Sequence, residues 1–428
     1  HPIFQVIEQD NTDWGGQAKF TTRHALLGLT SETTLGVGYS KGITDNTNRA
    51  NVGGQPSGPF LDQSQQVAQN RDYFVETRVD LQPGLKGVVG LQWQEAQRKY
   101  TGFNTGATPN AFFFDNEYSQ LSPRVGLIKT LPSGSQLFAN VSGSFEPPSF
   151  GELGVSGASA QFTTNNRAQE ALSMEGGWRG QNERWTWDTV AYYAEIKDEL
   201  MATVVPGTAI AGTFNAPQTK RLGLELGWSY KCGAWTVRNS TLVNHFRFDG
   251  DADFGDNRIA GIPAASTRLA LDHQLPRAMV ATLSVDAASA TQVDHKNTFQ
   301  APGYGVLNAR LTGKINTNLD WFVDARNLAD KNHVATTGVV RLYNPAAPQQ
   351  FLPGGGGAGL ARGAVKQQHV QRIFELAHAV GQGAGHEVQF AGSRSKAALT
   401  LNGLQHEQRF GCEPIPWALS GYLHVIYI

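Results

Sequence analysis

Apolar and polar residues alternate along many short stretches of this chain. In residues 318–328, Leu319 and Trp321 fall on one side, and Asp320 and Asp324 fall on the other. A period of two over this length predicts a β-strand with two different faces. The apolar face of such a strand packs into a soluble core or lies against lipid, and one strand does not decide between the two.

The same alternation recurs often enough to predict an all-β chain of fourteen strands. Leu222, Leu224 and Leu226, for instance, share one face of their strand, while Glu225 lies on the opposite face. The predicted strands cover residues 13–24, 31–43, 69–81, 85–100, 120–131, 135–146, 168–180, 184–200, 217–231, 234–249, 264–275, 278–292, 303–315 and 318–328.

The connections between these strands alternate between short and long. This rhythm is typical of outer-membrane β-barrels, in which periplasmic turns are short and external loops are long. A soluble sandwich or propeller has no reason to keep it over so many strands. The short connections are residues 82–84, 132–134, 180–183, 231–233, 274–277 and 315–317, and the long ones are 44–68, 101–119, 147–167, 201–216, 250–263 and 293–302.

Composition supports a membrane barrel and excludes some other classes. Charged residues make up 17% of the 428 residues, below the roughly 25% usual for soluble domains. A net charge of −1 argues against a nucleic-acid partner. No apolar run is long enough to predict a membrane-spanning helix. Cys232 and Cys412 predict neither a disulfide framework nor a metal site. Because the chain starts at His1 without a signal peptide, we expect that processing or truncation removed the true start.

Aromatic residues concentrate near the predicted strand ends. We interpret them as interfacial girdles, in which amphipathic rings lie at the level of the lipid headgroups. They are Trp93, Tyr100, Tyr118, Trp178, Trp185, Trp187, Trp228, Trp235 and Trp321.

Several short motifs, taken in their order along the chain, resemble the barrel of TonB-dependent outer-membrane receptors. The resemblance covers about residues 1–345. The motifs are the SPR-x-G-L pattern at 121–127, F-x-x-P-x-F-x-E-L at 145–153, N-A at 215–216 with G-x-E-L at 223–226, a turn-in at 259–263, and a variant of V-x-N-L-x-D-K at 325–331.

This resemblance implies an antiparallel transmembrane β-barrel that is partial. Receptors of the family have 22 strands and a preceding plug, so about 14 of 22 strands are expected here. The expected organisation is a barrel over residues 1–345, a Gly/Pro-rich linker over 346–358 and an atypical tail over 359–428.

The resemblance also implies a function: import of a ferric siderophore or a similar scarce solute across the outer membrane of a Gram-negative bacterium. Iron would travel inside the chelate, so no cofactor and no protein ligands for the metal are expected. The expected partners are outer-membrane lipid and the chelate. As a truncated barrel without a plug, the chain is expected to be unable to transport alone. TonB is expected as a partner only of an intact receptor with its plug.

Candidate ligand-binding residues lie in or beside the long connections. Aromatic and cationic side chains suit catecholate or carboxylate chelates through stacking and charge. The candidates are Arg49, Tyr100, Phe112, Phe113, Phe114 and Arg167.

The tail departs from the family pattern. Residues 359–428 contain five of the eleven histidines and no aspartate, and the spacing of apolar residues predicts a helix over about 364–380. Three interpretations are open: a frameshifted segment that replaces the last strand, which we favour, a genuine short helical or irregular appendage, or a histidine-rich metal site.

No enzyme signature is present, so we predict that the chain is not an enzyme. Acidic neighbours such as Asp198 and Glu199 are interpreted as solvated lumen or loop groups. Two other functional hypotheses are open. One is a non-functional gene remnant, because unpaired strand edges are costly in hydrocarbon. The other is a different outer-membrane barrel, either a channel or a hydrolase.

Overall fold

The computed structural model describes residues 5–52, 58–104, 110–153, 165–204, 211–317 and 319–334. In this part of the chain no helix is both long and apolar enough to cross a membrane. The predicted linker, the tail and the helix over 364–380 lie outside the described residues, so these predictions stay open.

In these described ranges, fourteen strands form one antiparallel sheet in which nearly every neighbour in space is a neighbour in sequence. Two short strands, Thr291–Gln292 and Gln300–Ala301, form a separate pair within one of the long connections. The strands are β1 (Gln5–Leu26), β2 (Leu29–Ala50), β3 (Phe60–Gln82), β4 (Leu85–Asn104), β5 (Asn110–Thr130), β6 (Gln136–Glu146), β7 (Gln169–Gln181), β8 (Trp185–Val204), β9 (Ala211–Cys232), β10 (Trp235–Phe248), β11 (Ala265–Leu275), β12 (Met279–Ala288), β13 (Thr291–Gln292), β14 (Gln300–Ala301), β15 (Tyr304–Asn316) and β16 (Leu319–Ala325).

Each of the fourteen predicted strands corresponds to one strand of this sheet, but several extend much farther into the long connections. The predicted connection 44–68 was too long, because β2 continues to Ala50 and β3 already starts at Phe60. The connections 101–119 and 201–216 shorten in the same way. Near these ends the alternation stops: residues 44–49 are polar on both faces, whereas Phe112–Phe114 are apolar on both. Pairing nevertheless continues there, after the periodic signal has ended.

The outer face of the sheet carries a continuous band of exposed apolar side chains. Neighbouring strands align them in rows: Val125 pairs with Val89 on one side and with Val141 on the other. On β4 the band runs from Leu85 to Trp93, about 27 Å of extended strand. At the usual strand tilt this length fits an apolar band of roughly 20–25 Å. A water-soluble domain rarely exposes so large an apolar surface.

Tryptophan follows the same face. Near the short turns Trp185 packs against Tyr230 with ring centroids 4.5 Å apart, and Trp178 packs against Trp187 at 5.0 Å. This arrangement is the one that an interfacial girdle requires. Tyr100 and Tyr118 do not belong to it, because strand register places both on the inner face. Strand register places every tryptophan of the described residues on the outer face: Trp14, Trp93, Trp178, Trp185, Trp187, Trp228, Trp235 and Trp321.

The inner face is polar, and its charges are paired across strands. Arg238 donates from Nε and Nη2 to both carboxylate oxygens of Asp272, at 2.6 and 2.9 Å. Arg310 and Asp324 approach to 3.6 Å. A face built from such pairs suits a water-filled lumen, because exposed ion pairs there keep their hydration.

The short turns have the backbone geometry that tight hairpins need. Leu27 and Gly28 join β1 to β2 with φ values of 53° and 79°. Two consecutive positive φ angles define a turn whose twist matches the twist of the flanking strands.

The sheet is open within the described residues. There β1 pairs with β2 alone, and β16 pairs with β15 alone. The fold is therefore a partial antiparallel barrel of fourteen strands, as predicted.

A charge placed on the outer face at mid-height is expected to prevent stable insertion. Val141→Arg puts a guanidinium among lipid tails and is expected to cost about 2–4 kcal/mol of folding free energy. Ser142→Arg, one residue away on the inner face, is the matched control and is expected to cost little. Heat-modifiable migration on a denaturing gel and urea unfolding in vesicles measure both. Equal destabilisation by the two variants would contradict this assignment of faces.

Candidate functional site

At the strand ends that carry the long connections, the inner face bears buried side chains as well as solvated ion pairs. Three buried assemblies lie there. The aromatic cluster comprises Tyr100, Phe112, Phe114, Phe150 and Leu153. The buried ion pair is Glu199 with Arg221. The loop cap consists of residues 249–263 and 291–301, which connect β10 to β11 and lie between β12 and β15.

The aromatic cluster brings three of the six predicted ligand-binding residues together. The rings of Tyr100 and Phe114 stack with centroids 5.5 Å apart and planes at 11°. Phe150 lies 6.4 Å from Phe114, and Leu153 is fully buried beside them. Phe112 is half-buried at the edge of the cluster. This edge offers an aromatic surface on the inner wall.

The motif at 145–153 builds the base of this cluster. Ser149 and Glu152 form a capping arrangement: the Glu152 carboxylate accepts from the Ser149 N–H and hydroxyl, both at 2.7 Å. Arg98 donates from Nε to the carbonyl oxygen of Pro148 at 3.2 Å and from Nη1 to Asn70 at 3.0 Å. The motif therefore folds the connection inward against the wall.

Arg167, also predicted to bind ligand, is engaged within the protein. Its guanidinium donates to Asp198, and this hydrogen bond raises the pKa of Arg167. Its main chain exchanges hydrogen bonds with the side chain of Asn215 at 2.8 and 2.9 Å. The side chain is otherwise exposed, at the mouth of the wall.

Arg49 and Phe113 lie on the other side of the sheet. Strand register places both on the outer face, where Phe113 is 65% exposed. Arg49 rests on the ring of Phe60 at 5.4 Å, and Lys99 rests on Phe113 at 5.6 Å. The sequence run Phe112–Phe114 thus divides between the two faces, as alternation in a strand requires.

The buried ion pair was missed from the sequence, where Glu199 was interpreted as a solvated group. Glu199 accepts from Arg221 Nη2 with one oxygen and from the Thr219 hydroxyl with the other. Arg221 is 1% exposed, and its guanidinium lies 4.8 Å from the ring of Phe246. Arg221 Nε and Nη1 find no acceptor in the described part of the protein.

A local distortion explains why alternation misplaced Glu199. Asp198 has a φ of 54°, and it stands opposite Pro217, which has no N–H to donate. Beyond this point Met201 and Ala216 join the buried inner cluster around Phe246, although strict alternation assigns them to the outer face. In the sequence, the signal for this distortion was Asp198 opposite Pro217.

The two parts of the loop cap are tied together by side-chain amides. Asn297 accepts from the N–H of Arg258 and donates to its carbonyl oxygen, both at 2.8 Å. Asn257 donates to the carbonyl oxygen of His295 at 3.1 Å. Phe254 of the cap packs on Phe248 of the wall, with centroids 4.9 Å apart. The two long connections therefore form one body over the wall.

His295 is a buried, titratable residue of the loop cap. It is 5% exposed, and its Nδ1 accepts from the N–H of Ala260 at 3.3 Å, which places the ring proton on Nε2. Burial lowers the pKa of His295 to about 4, although the charges of Asp294 and Asp251 oppose the shift. The folded cap thus holds a neutral imidazole.

The aromatic edge and the ion pairs of this inner face can contact a ligand. In the ranges that the structure describes, no three His, Cys, Asp or Glu side chains are grouped to hold a metal ion. A groove of about 540 Å³ lined by Phe20, Leu35, Tyr73 and Leu91 lies among outer-face side chains, where lipid tails would fill it.

Comparison with known families agrees with this fold. The family described as TonB dependent receptor-like, beta-barrel, matches residues 4–328. The chain belongs to this family. Comparison with curated protein sequences gives no match.

Several solved structures that are similar to this fold are named as uptake receptors or transporters. The ferric citrate transporter FecA is 15% identical with a TM-score of 0.65, over 79% of this chain and 53% of that one. The ferric yersiniabactin uptake receptor FyuA from Yersinia pestis is 14% identical with a TM-score of 0.60, over 80% and 52%. The copper transporter OprC is 16% identical with a TM-score of 0.61, over 78% and 54%. The chain spans about half the length of these proteins.

Acid is expected to loosen the loop cap. Because the pKa of His295 falls from 6.5 to about 4 on folding, the unfolded cap binds the proton more readily between these values. The stabilisation is complete above pH 6.5 and is lost as the pH falls towards 4, by up to about 3 kcal/mol. Hydrogen exchange of peptides from the cap, corrected for intrinsic rates, measures the change.

His295→Gln is the control for this pH dependence, because the amide oxygen can still accept from Ala260 N–H but does not titrate. Cap protection in this variant is expected to be nearly independent of pH. Equal pH dependence in the variant and the original chain would show that another group controls the cap.

Proposed function

We propose that these strands form the ligand-binding wall of an outer-membrane receptor that takes up a ferric siderophore or a similar scarce solute with energy delivered through TonB. Family membership supports the class of protein. The named cargoes of similar structures are ferric chelates and copper. Since the chain spans about half of those proteins, uptake is proposed for the receptor to which this wall belongs.

The observation that carries the proposal is the contrast between the two faces at the long-loop end. The outer face is apolar up to Trp93 and Tyr73, which suits the outer membrane of a Gram-negative bacterium. The inner face carries aromatic rings with paired charges around them. Such a surface can stack on a chelate and pair with its charge.

Within this wall we propose Phe112 as the principal aromatic contact, with Tyr100 and Phe114 as its packed support. Phe112 is half-buried at the edge of the cluster, whereas Tyr100 and Phe114 are buried. Arg167 is ion-paired with Asp198 but exposed, so its remaining guanidinium donors can reach a chelate. The metal would arrive within its chelate, so the wall needs no metal ligands of its own. Arg49 and Phe113 are left out because they lie on the outer face.

Chelate binding to the chain folded in vesicles tests this proposal. The probes are ferric complexes labelled with radioactive iron: a catecholate, a hydroxamate and citrate. Phe112→Ala is expected to weaken binding of the recognised chelate about tenfold, which corresponds to about 1.4 kcal/mol of lost contact.

Phe113→Ala is the matched control, since it removes the same ring from the opposite face and is expected to leave binding unchanged. Failure of every probe to bind, or an equal loss in the two variants, would refute the proposed function.

A further inference from the structure

We propose that Arg221 is an anion-binding group concealed beneath the loop cap, and that opening of the cap presents it to a carboxylate or phosphate ligand in the lumen. The inference rests on the proposed function for the route by which a ligand reaches the wall.

The hydrogen-bond inventory of Arg221 is the first argument. A guanidinium has five N–H donors, and Glu199 accepts from Nη2. The second carboxylate oxygen of Glu199 is already bonded to the Thr219 hydroxyl. Nε and Nη1 are buried and meet no protein acceptor in the described ranges. Donors of a charged group that stay unsatisfied in a buried place lower stability, so they are retained at a cost.

Arg238, on the same inner face, shows that an arginine there need not keep buried donors without acceptors. Arg238 gives Nε and Nη2 to the two oxygens of Asp272, and its side chain is 51% exposed, so its remaining donors reach water. Arg221 is enclosed and has a single carboxylate contact. The difference marks Arg221 as a buried cation of the described inner face with unused hydrogen-bond donors.

The packing above Arg221 is the second argument, because the ring that covers its guanidinium packs in turn against the loop cap. Phe246, on which the guanidinium rests, shares its buried cluster with Phe254 and Ile259 of the loop cap. The cap is joined to the end of β10 by the bonds from Phe248 N–H to the Asn257 carbonyl, 3.0 Å, and from Ile259 N–H to the Phe246 carbonyl, 3.1 Å. Asp249 also joins the cap to β9, through its N–H to the Gln218 carbonyl at 3.0 Å and an ion pair with Lys220 at 2.8 Å. Release of these bonds together with the apolar contacts would open the cap.

The chemistry of the exposed group defines the ligand class. A guanidinium binds planar or tetrahedral oxyanions through charge-assisted hydrogen bonds. With the cap open, a carboxylate or phosphate oxygen can accept from Nε–H or Nη1–H while Glu199 keeps Nη2. Thr219 and Glu199 would hold the guanidinium in place. A carboxylate-rich chelate or another small oxyanion fits this site.

Calorimetric titration of the full chain in vesicles with citrate, and separately with inorganic phosphate, tests the inference. At least one anion is expected to bind the original chain. Arg221→Gln is expected to weaken that binding at least about tenfold. Arg238→Gln, which removes a cation from the same wall, is expected to leave it unchanged. Heat-modifiable migration checks the fold of each variant.

A variant of the cap gives a second and independent outcome. Asn297→Ala breaks the bonds between the two parts of the cap and leaves the wall intact. Because the apparent affinity of a concealed site scales with the fraction of molecules that are open, Asn297→Ala is expected to tighten anion binding severalfold. If the cap residues were themselves the contacts, binding would weaken instead.

The inference is wrong if neither anion binds the original chain or the Asn297→Ala variant. It is also wrong if Arg221→Gln and Arg238→Gln change anion affinity equally, or if Asn297→Ala does not tighten anion binding. Should Arg221→Gln fail to fold, the Asn297→Ala result decides. If anions bind through Arg221 but no ferric chelate binds, the proposed function is refuted and the anion site at Arg221 still stands. If a ferric chelate binds but Arg221→Gln leaves anion binding unaffected, the anion site is refuted and the proposed function still stands.

Discussion

The structure depends on the requirement that backbone N–H and C=O groups be hydrogen-bonded where no water can reach them. The sheet meets this requirement with long, continuous ladders, such as the one from Gln5 paired with Ala50 to Leu26 paired with Leu29. Such pairing leaves the two faces free to differ. The same requirement makes the outer edges of β1 and β16 the places where the described sheet needs further pairing within a membrane.

Because the backbone groups are hydrogen-bonded to one another, the side chains of each face can match the solvent that the face meets. The outer face keeps apolar side chains across the band from Leu85 to Trp93, whereas the inner face pairs Arg238 with Asp272 and Arg310 with Asp324. Above the band both faces are wet. There the connections fold inward and bury aromatic and charged groups against the wall. The function proposed here belongs to that region, where an enclosed surface can be opened and closed.

Sequence periodicity was sufficient for the strands and their faces, because both follow from a period of two. It could not place strand ends beyond the band, where apolar and polar residues no longer alternate. It also failed at Asp198, since a single residue with positive φ changes the face of Glu199 without changing the register. Contacts between loops far apart in sequence, such as Asn297 with Arg258, have no periodic signature. The motif at 145–153 was recognised, but its capping by Ser149 and Glu152 was visible only in the structure.

The central claim is that the tryptophan-bearing face of the sheet contacts lipid tails. The most direct measurement is tryptophan fluorescence of the chain, carrying Trp417→Phe, in vesicles of lipids brominated along their acyl chains. The remaining tryptophans all lie on the outer face, so strong quenching relative to unbrominated vesicles is expected. Fluorescence that is unaffected by the brominated lipids would show that this face is buried in protein or exposed to water, and would contradict the account.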